Sequence, residues 1–109
     1  MYSGNDDTVL PLLSLGGFGC ISVLSNLAPT RMQGLCQAFF DGRVSDAAAI
    51  QRSLLPLCDA LFCETNPIPV KWALARLGFC KAQFRLPMVQ PQEESKKKIE
   101  KAMEAAGIL

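Results

Sequence analysis

One run of this chain reads as a β-strand with both faces apolar, and it is the only complete strand in the sequence: Cys20-Ile21-Ser22-Val23-Leu24. Side chains alternate across a strand, so Cys20, Ser22 and Leu24 point one way and Ile21 and Val23 the other, the pattern of a strand covered on both sides in a parallel sheet. Such a strand carries N–H and C=O groups along both edges, and these need partners once water is excluded. The sheet therefore requires strands that the rest of the sequence does not supply, and the chain reads as the end of a βα series whose other strands come before Met1 or from a second chain. Tyr2-Ser3-Gly4 fits the last residues of a preceding strand. Parallel strands alternating with helices at this spacing suit either a doubly wound sheet or a (βα)8 barrel.

Helical stripes fill the remainder. Asp6, Asp7 and Thr8 place acceptors at the free N–H groups of a first helical turn, and Gly16 is positioned to end that helix. Met32, Leu35, Cys36, Phe39 and Phe40 recur at helical spacing, with Thr30 as the expected cap and Gly42 as the stop. Ile50, Leu54, Leu57 and Leu61 form the seam of a helix expected from Ser45 to near Cys63, with a kink and not a break at Pro56, because the stripe stays in phase on both sides. A further helix is expected from Pro67 to Leu77, burying Val70, Ala73, Leu74 and Leu77 and ending at Gly78. The last runs from Glu93 to Ala106 and buries Ile99, Ala102, Met103 and Ala106.

Composition narrows the chemistry. The 109 residues hold one core at most, and the 50% hydrophobic share is too high for a disordered segment. A net charge of +1 argues against nucleic acid or an anionic membrane as partner, and Lys96-Lys97-Lys98 is answered by Glu93, Glu94, Glu100 and Glu104 on the same helix. With no histidine, neither a Ser-His-Asp nor a Cys-His arrangement can be built from this chain. Cys20, Cys36, Cys58, Cys63 and Cys80 are odd in number and contain no C-x-x-C pair, so they read as reduced, buried small hydrophobes of a cytoplasmic protein, with no metal site. The N-terminus lacks a cationic segment before its apolar run, and no run approaches the ~20 residues needed to cross a bilayer, so neither a signal peptide nor a membrane span is expected.

Four motifs invite chemistry, each with a plainer alternative. Gly16-Gly17-Phe18-Gly19 has the glycines of a phosphate loop but follows a helix and opens a strand, the reverse of what phosphate binding needs. Asp6 and Asp7 read as helix caps before they read as a metal or acid–base pair. Lys71 lies opposite the apolar stripe of its helix, which suits a structural role better than a Schiff base. Asn66-Pro67-Ile68-Pro69-Val70-Lys71 is a rigid start to a helix and names no chemistry alone.

Taken together, Tyr2-Ser3-Gly4-Asn5-Asp6-Asp7, Gly16-Gly17-Phe18-Gly19-Cys20-Ile21-Ser22-Val23, Glu64-Thr65-Asn66-Pro67-Ile68-Pro69-Val70-Lys71-Trp72-Ala73 and Arg85-Leu86-Pro87-Met88 resemble four blocks of the dihydrodipicolinate synthase family, in order and at matching separations. The resemblance implies an α/β fold: the last part of a (βα)8 TIM barrel over residues 1–42 (end of strand seven, helix seven, strand eight, helix eight) and a C-terminal helical domain over residues 43–109. It implies a lyase that condenses pyruvate, held as a Schiff base, with L-aspartate semialdehyde in lysine and diaminopimelate biosynthesis. It implies no cofactor, no metal, no nucleic acid and no membrane, a cytoplasmic location, and a homo-oligomer, tetramer or dimer. The family's Schiff-base lysine, its proton-relaying tyrosine and its lysine feedback site belong to its earlier two thirds; none has a counterpart here, so the chain alone is expected to be inactive. Three substrate-binding positions carry over: the backbone carbonyl of Ile21, which in the family contacts pyruvate, and Gly4 and Asn5 in the loop bordering the semialdehyde site. Many relatives have Asp at the position of Asn5, which removes any role there that depends on charge. Two other readings stand beside this one: a non-catalytic helical remnant associating through Phe39, Phe40, Leu57 and Leu61, and another pyruvate aldolase such as N-acetylneuraminate lyase, which the Asn66–Lys71 block disfavours.

Overall fold

Two short parallel strands, β1 (Tyr2–Ser3) and β2 (Gly19–Cys20), pair in the register Tyr2↔Gly19 and Ser3↔Cys20 in the computed structural model, which describes residues 1–109. The strand expected over Cys20–Leu24 is thus corrected: the ladder ends where the Ile21 N–H meets the Ser3 carbonyl at 2.8 Å. Beyond Ile21 no strand lies alongside, since the sheet has only these two strands, and the chain turns instead into a 3₁₀ turn at Leu24–Asn26. The Leu24 side chain is fully buried after that turn, so its apolar character is used in the core and not in a sheet.

Between the strands a 3₁₀ turn at Asp6–Thr8 leads into α1 (Val9–Ser14), which buries Val9 and Leu13. Helix α1 closes with the Gly17 N–H on the Leu12 carbonyl and the Gly16 N–H on the Leu13 carbonyl, both at 3.0 Å. This pair of bonds requires a left-handed residue, and Gly16 takes φ +95°. Gly17 is constrained by space: a Cβ there would sit 2.9 Å from the Leu12 carbonyl oxygen.

Helix α2 (Pro29–Phe40) starts one residue before the expected cap, because Pro29 occupies its first turn and Ala28 stands at the N-cap. Thr30 is therefore helical and caps nothing. Met32 and Leu35 are buried as expected, Ala38 joins them, Cys36 and Phe39 are half-buried, and Phe40 is exposed. Gly42 ends the segment at φ +81°, with the Arg43 N–H on the Ala38 carbonyl. Helix α3 (Val44–Leu61) runs through Pro56 without interruption. Arg52 and Pro56 both lie on the exposed side, where water can reach the carbonyl that proline leaves unbonded.

The chain forms two compact units, Met1–Leu55 and Pro56–Leu109, the division falling inside α3. In the first, α1 packs on α2 and on both strands, and Val9, Leu13, Leu24, Met32, Leu35 and Leu54 supply the buried apolar side chains. In the second, α4 (Ile68–Arg76) packs on α5 (Glu93–Ala105). Arg76 meets Glu100 at 2.5 Å and Lys98 meets Asp59 at 3.0 Å, but all four side chains are more than a third exposed, and such pairs contribute about 0–1 kcal/mol each. Burying Ile99 and Met103, both at 0% exposure, contributes roughly 1.5–3 kcal/mol apiece, so the apolar stripe of α5 outweighs its ion pairs. Ala102, Ala106, Leu74 and Leu77 are only half-buried, and Trp72, outside the expected stripe, is buried.

The cysteines depart from expectation. None is in a disulfide, but only Cys58 is buried; Cys20, Cys36 and Cys63 are half-buried and Cys80 is exposed. Leu57 and Leu61, expected on an associating surface in the remnant reading, are 1% and 0% exposed and cannot meet a partner.

The contact at Gly17 yields a stability test. Gly17→Ala forces a Cβ against backbone and should destabilise by about 1–3 kcal/mol, whereas Gly4→Ala, whose Cβ meets nothing within 4 Å, should change stability by less than about 0.5 kcal/mol. Urea midpoints at equal m-value check both.

Candidate functional site

The register of the sheet brings the three sequence-derived site residues to one edge. Because Ser3 lies opposite Cys20, the residues that follow, Gly4 and Asn5 after β1 and Ile21 after β2, stand together at the C-terminal ends of two parallel strands. This is the end at which βα folds build their sites, since loops there are free to vary while the strands hold them in place.

Each of these loops is held by local polar bonds. The Ser3 hydroxyl, buried with its residue, donates to the Asn5 carbonyl at 2.8 Å and accepts the Asn5 N–H at 3.2 Å, fixing the turn through Gly4. The Asn5 side chain is exposed and Gly4 opens onto free space, so this rim can receive a ligand without moving atoms aside. The Ile21 side chain is 78% exposed while its amide is bonded to Ser3, which leaves Ile21 to act through its backbone.

Asp6 is placed otherwise than its sequence position suggests. It does not cap the turn it begins, whose start has no side-chain cap. Its carboxylate reaches across to the other loop, where Oδ2 accepts the N–H groups of Val23 at 3.0 Å and Leu24 at 2.9 Å. Asp6 is 2% exposed, and its Oδ1 is buried without a hydrogen-bond partner. Asp7 is exposed, so the two aspartates form no acid–base or metal pair. No group of three or more His, Cys, Asp or Glu side chains is arranged to hold a metal ion.

Gln51 of α3 is the residue that sequence reasoning passed over. It is buried, donating from Nε2 to the Asp6 carbonyl at 2.9 Å and accepting the Leu10 N–H on Oε1 at 3.0 Å. Its one available signal was a polar side chain in phase with the Leu54 face of the helix, which asks for a buried partner.

The other candidates take structural roles. Lys71 Nζ donates to the Gln83 carbonyl and lies 5.4 Å from the centre of the Phe84 ring, which ties the segment after α4 back onto that helix. The Gly16–Gly19 stretch is spent on ending α1 and starting β2. A groove of about 520 Å³ opens beside β2 and α2, lined in part by Tyr2, Phe18, Cys20, Cys36 and Phe40; neither Gly4, Asn5 nor Ile21 borders it. Cys20 and Cys36 both line it, and burial, then the Cys36 thiol, then the Asp6 charge push Cys20 up to about 11. Burial also raises Cys36, opposed by the Cys20 thiol. No helix is long and apolar enough to cross a membrane.

The model of the dihydrodipicolinate synthetase family matches residues 1–106. The 4-hydroxy-tetrahydrodipicolinate synthase of Gluconobacter oxydans is 50% identical over 107 residues, covering 98% of this chain and 36% of that protein. The crystal structure of dihydrodipicolinate synthase from Thermotoga maritima superposes with a TM-score of 0.97 at 44% identity, over 99% of this chain and 37% of that one. The chloride-inhibited dihydrodipicolinate synthase from Acinetobacter baumannii, solved in complex with pyruvate, gives 0.94 at 38% identity, over 99% and 37%. The chain thus spans little more than a third of the length of the relatives it matches.

The thiol pair supplies a pH test. A neutral thiol favoured by the fold adds stability below its ordinary value of 9.0 that is lost as the pH rises through about 11. The unfolding midpoint should therefore fall across that window, and Cys20→Ala should flatten the fall. Peptide mapping after alkylation near neutral pH should find Cys80 modified first and Cys20 and Cys36 protected.

Proposed function

Since the chain belongs to the dihydrodipicolinate synthetase family, of whose enzymes it is a C-terminal portion, we propose that it forms the floor and rim of the pyruvate site in a 4-hydroxy-tetrahydrodipicolinate synthase. Its architecture is that of the last part of a (βα)8 barrel followed by helices. In this reading the barrel part spans residues 1–42 and the helical domain residues 43–109. The reaction is the lyase-type condensation of pyruvate with L-aspartate semialdehyde, within lysine and diaminopimelate biosynthesis, in the cytoplasm and in a homo-oligomer.

The observation that carries the reading is the grouping of Gly4, Asn5 and Ile21 at the C-terminal edge of β1 and β2. Ile21 offers its carbonyl oxygen to bound pyruvate, a contact that asks for backbone position and not for a particular side chain. Gly4 and Asn5 border the semialdehyde, where the amide of Asn5 can donate and accept but carries no charge. The Schiff-base lysine and the proton-relaying tyrosine come from the part of the enzyme that this chain does not span. Lys71, held by Gln83 and Phe84, and Tyr2, on the groove side of β1, do not replace them.

Borohydride trapping with pyruvate tests this. The chain alone should form no stable adduct and show no turnover. Fused behind the first two thirds of the Gluconobacter oxydans relative, it should form an adduct on a lysine of that segment and condense the two substrates. Lys71→Ala should leave the adduct intact; an adduct on Lys71, or an inactive fusion, would overturn the reading.

A further inference from the structure

We infer that Asp6 is a positioning residue for the Ile21 carbonyl: by taking the Val23 and Leu24 amides, its buried carboxylate fixes the direction of the peptide that leaves β2. The inference rests on the reading above, in which that carbonyl meets pyruvate.

The sheet controls the backbone only as far as the Ile21 amide, which is bonded to Ser3 at 2.8 Å. Past it, the Ile21–Ser22 peptide has no ladder to set its orientation. The next anchors are the amides of Val23 and Leu24, both on Asp6 Oδ2. The carbonyl of Ile21 therefore lies between two fixed points, one held by β1 and the other by the Asp6 side chain, with only a few backbone torsions between them.

The character of the anchor fits this role. Bonds from N–H groups to a carboxylate are stronger than neutral ones, and two converging on one oxygen define a position in space. The other oxygen, Oδ1, is buried without a partner, which is costly, so a residue needed only to fill that space would be better apolar. Gln51 secures the anchor from behind, binding the Asp6 carbonyl from α3. The loop after β1 and the loop after β2, the two that border the proposed site, are thereby locked to each other. Asp7, exposed beside it, takes no part.

The test uses the active fusion together with the chain itself. In the fusion, Asp6→Ala should raise KM for pyruvate by about tenfold with a smaller fall in kcat, while Asp6→Asn, which keeps an acceptor for both amides, should stay within about threefold of the parent. Gln51→Ala should raise KM as well, with the carboxylate untouched, and it decides the matter should Asp6→Ala fail to fold. In the chain, amide exchange at Val23 and Leu24 should speed up in Asp6→Ala and not in Asp6→Asn. Faster exchange with an unchanged KM for pyruvate would overturn the positioning role and leave the functional reading standing, as would equal KM values for the Ala and Asn variants. A parent fusion that forms no pyruvate adduct would overturn that reading and this inference with it.

Discussion

Two backbone amides, those of Val23 and Leu24, find their acceptor in the Asp6 carboxylate and not in a strand, and the arrangement of the first compact unit follows from that choice. The bonds end β2 as a ladder and start the 3₁₀ turn that drives Leu24 into the core. They also hold the loop after β1 against the loop after β2. A sheet interaction at the same place would have carried Val23 onward in extended form and left Leu24 on a sheet face, away from the buried position that its turn takes against α2. One buried charge thus decides where regular structure stops.

This also explains what the sequence disclosed and what it concealed. The helices were legible because they carry apolar stripes at helical spacing and most have a glycine just past the end: Gly16 and Gly42 stand in the left-handed region where two of the stripes break off. Their contacts lie within a few residues, so local pattern suffices. The extent of β2 was not legible, because Cys20–Leu24 has the composition of a strand throughout, while its one partner stops at Ser3 and a side chain from another loop takes the next amides. Gly4 and Asn5 fall just past β1, where the sequence put them, whereas Ile21, expected inside a strand, stands just past β2 because that strand ends early.

Asp6 and Gln51 were opaque for a common reason. Each bonds to backbone distant in the chain, and a polar residue next to a helix start or on a helix reads by default as a cap or a solvated side chain. The cysteines show the converse error. Their small apolar side chains suggested deep burial, yet Cys20 and Cys36 are half-buried and line a groove. Composition speaks to what a residue tolerates, and long-range geometry decides what it does.

The continuity of α3 across the boundary between the compact units has a practical side. A chain opened between Leu55 and Pro56 would expose two raw helix ends in the middle of eighteen helical residues, each with its backbone groups stripped of partners. The Asp41–Arg43 connection differs: α2 is already closed there by the bonds at Gly42 and Arg43, and α3 has not begun. All three residues are exposed. A reporter domain or an affinity tag inserted at that point would interrupt no helix, and the same point offers the natural place to join pieces of the molecule made separately.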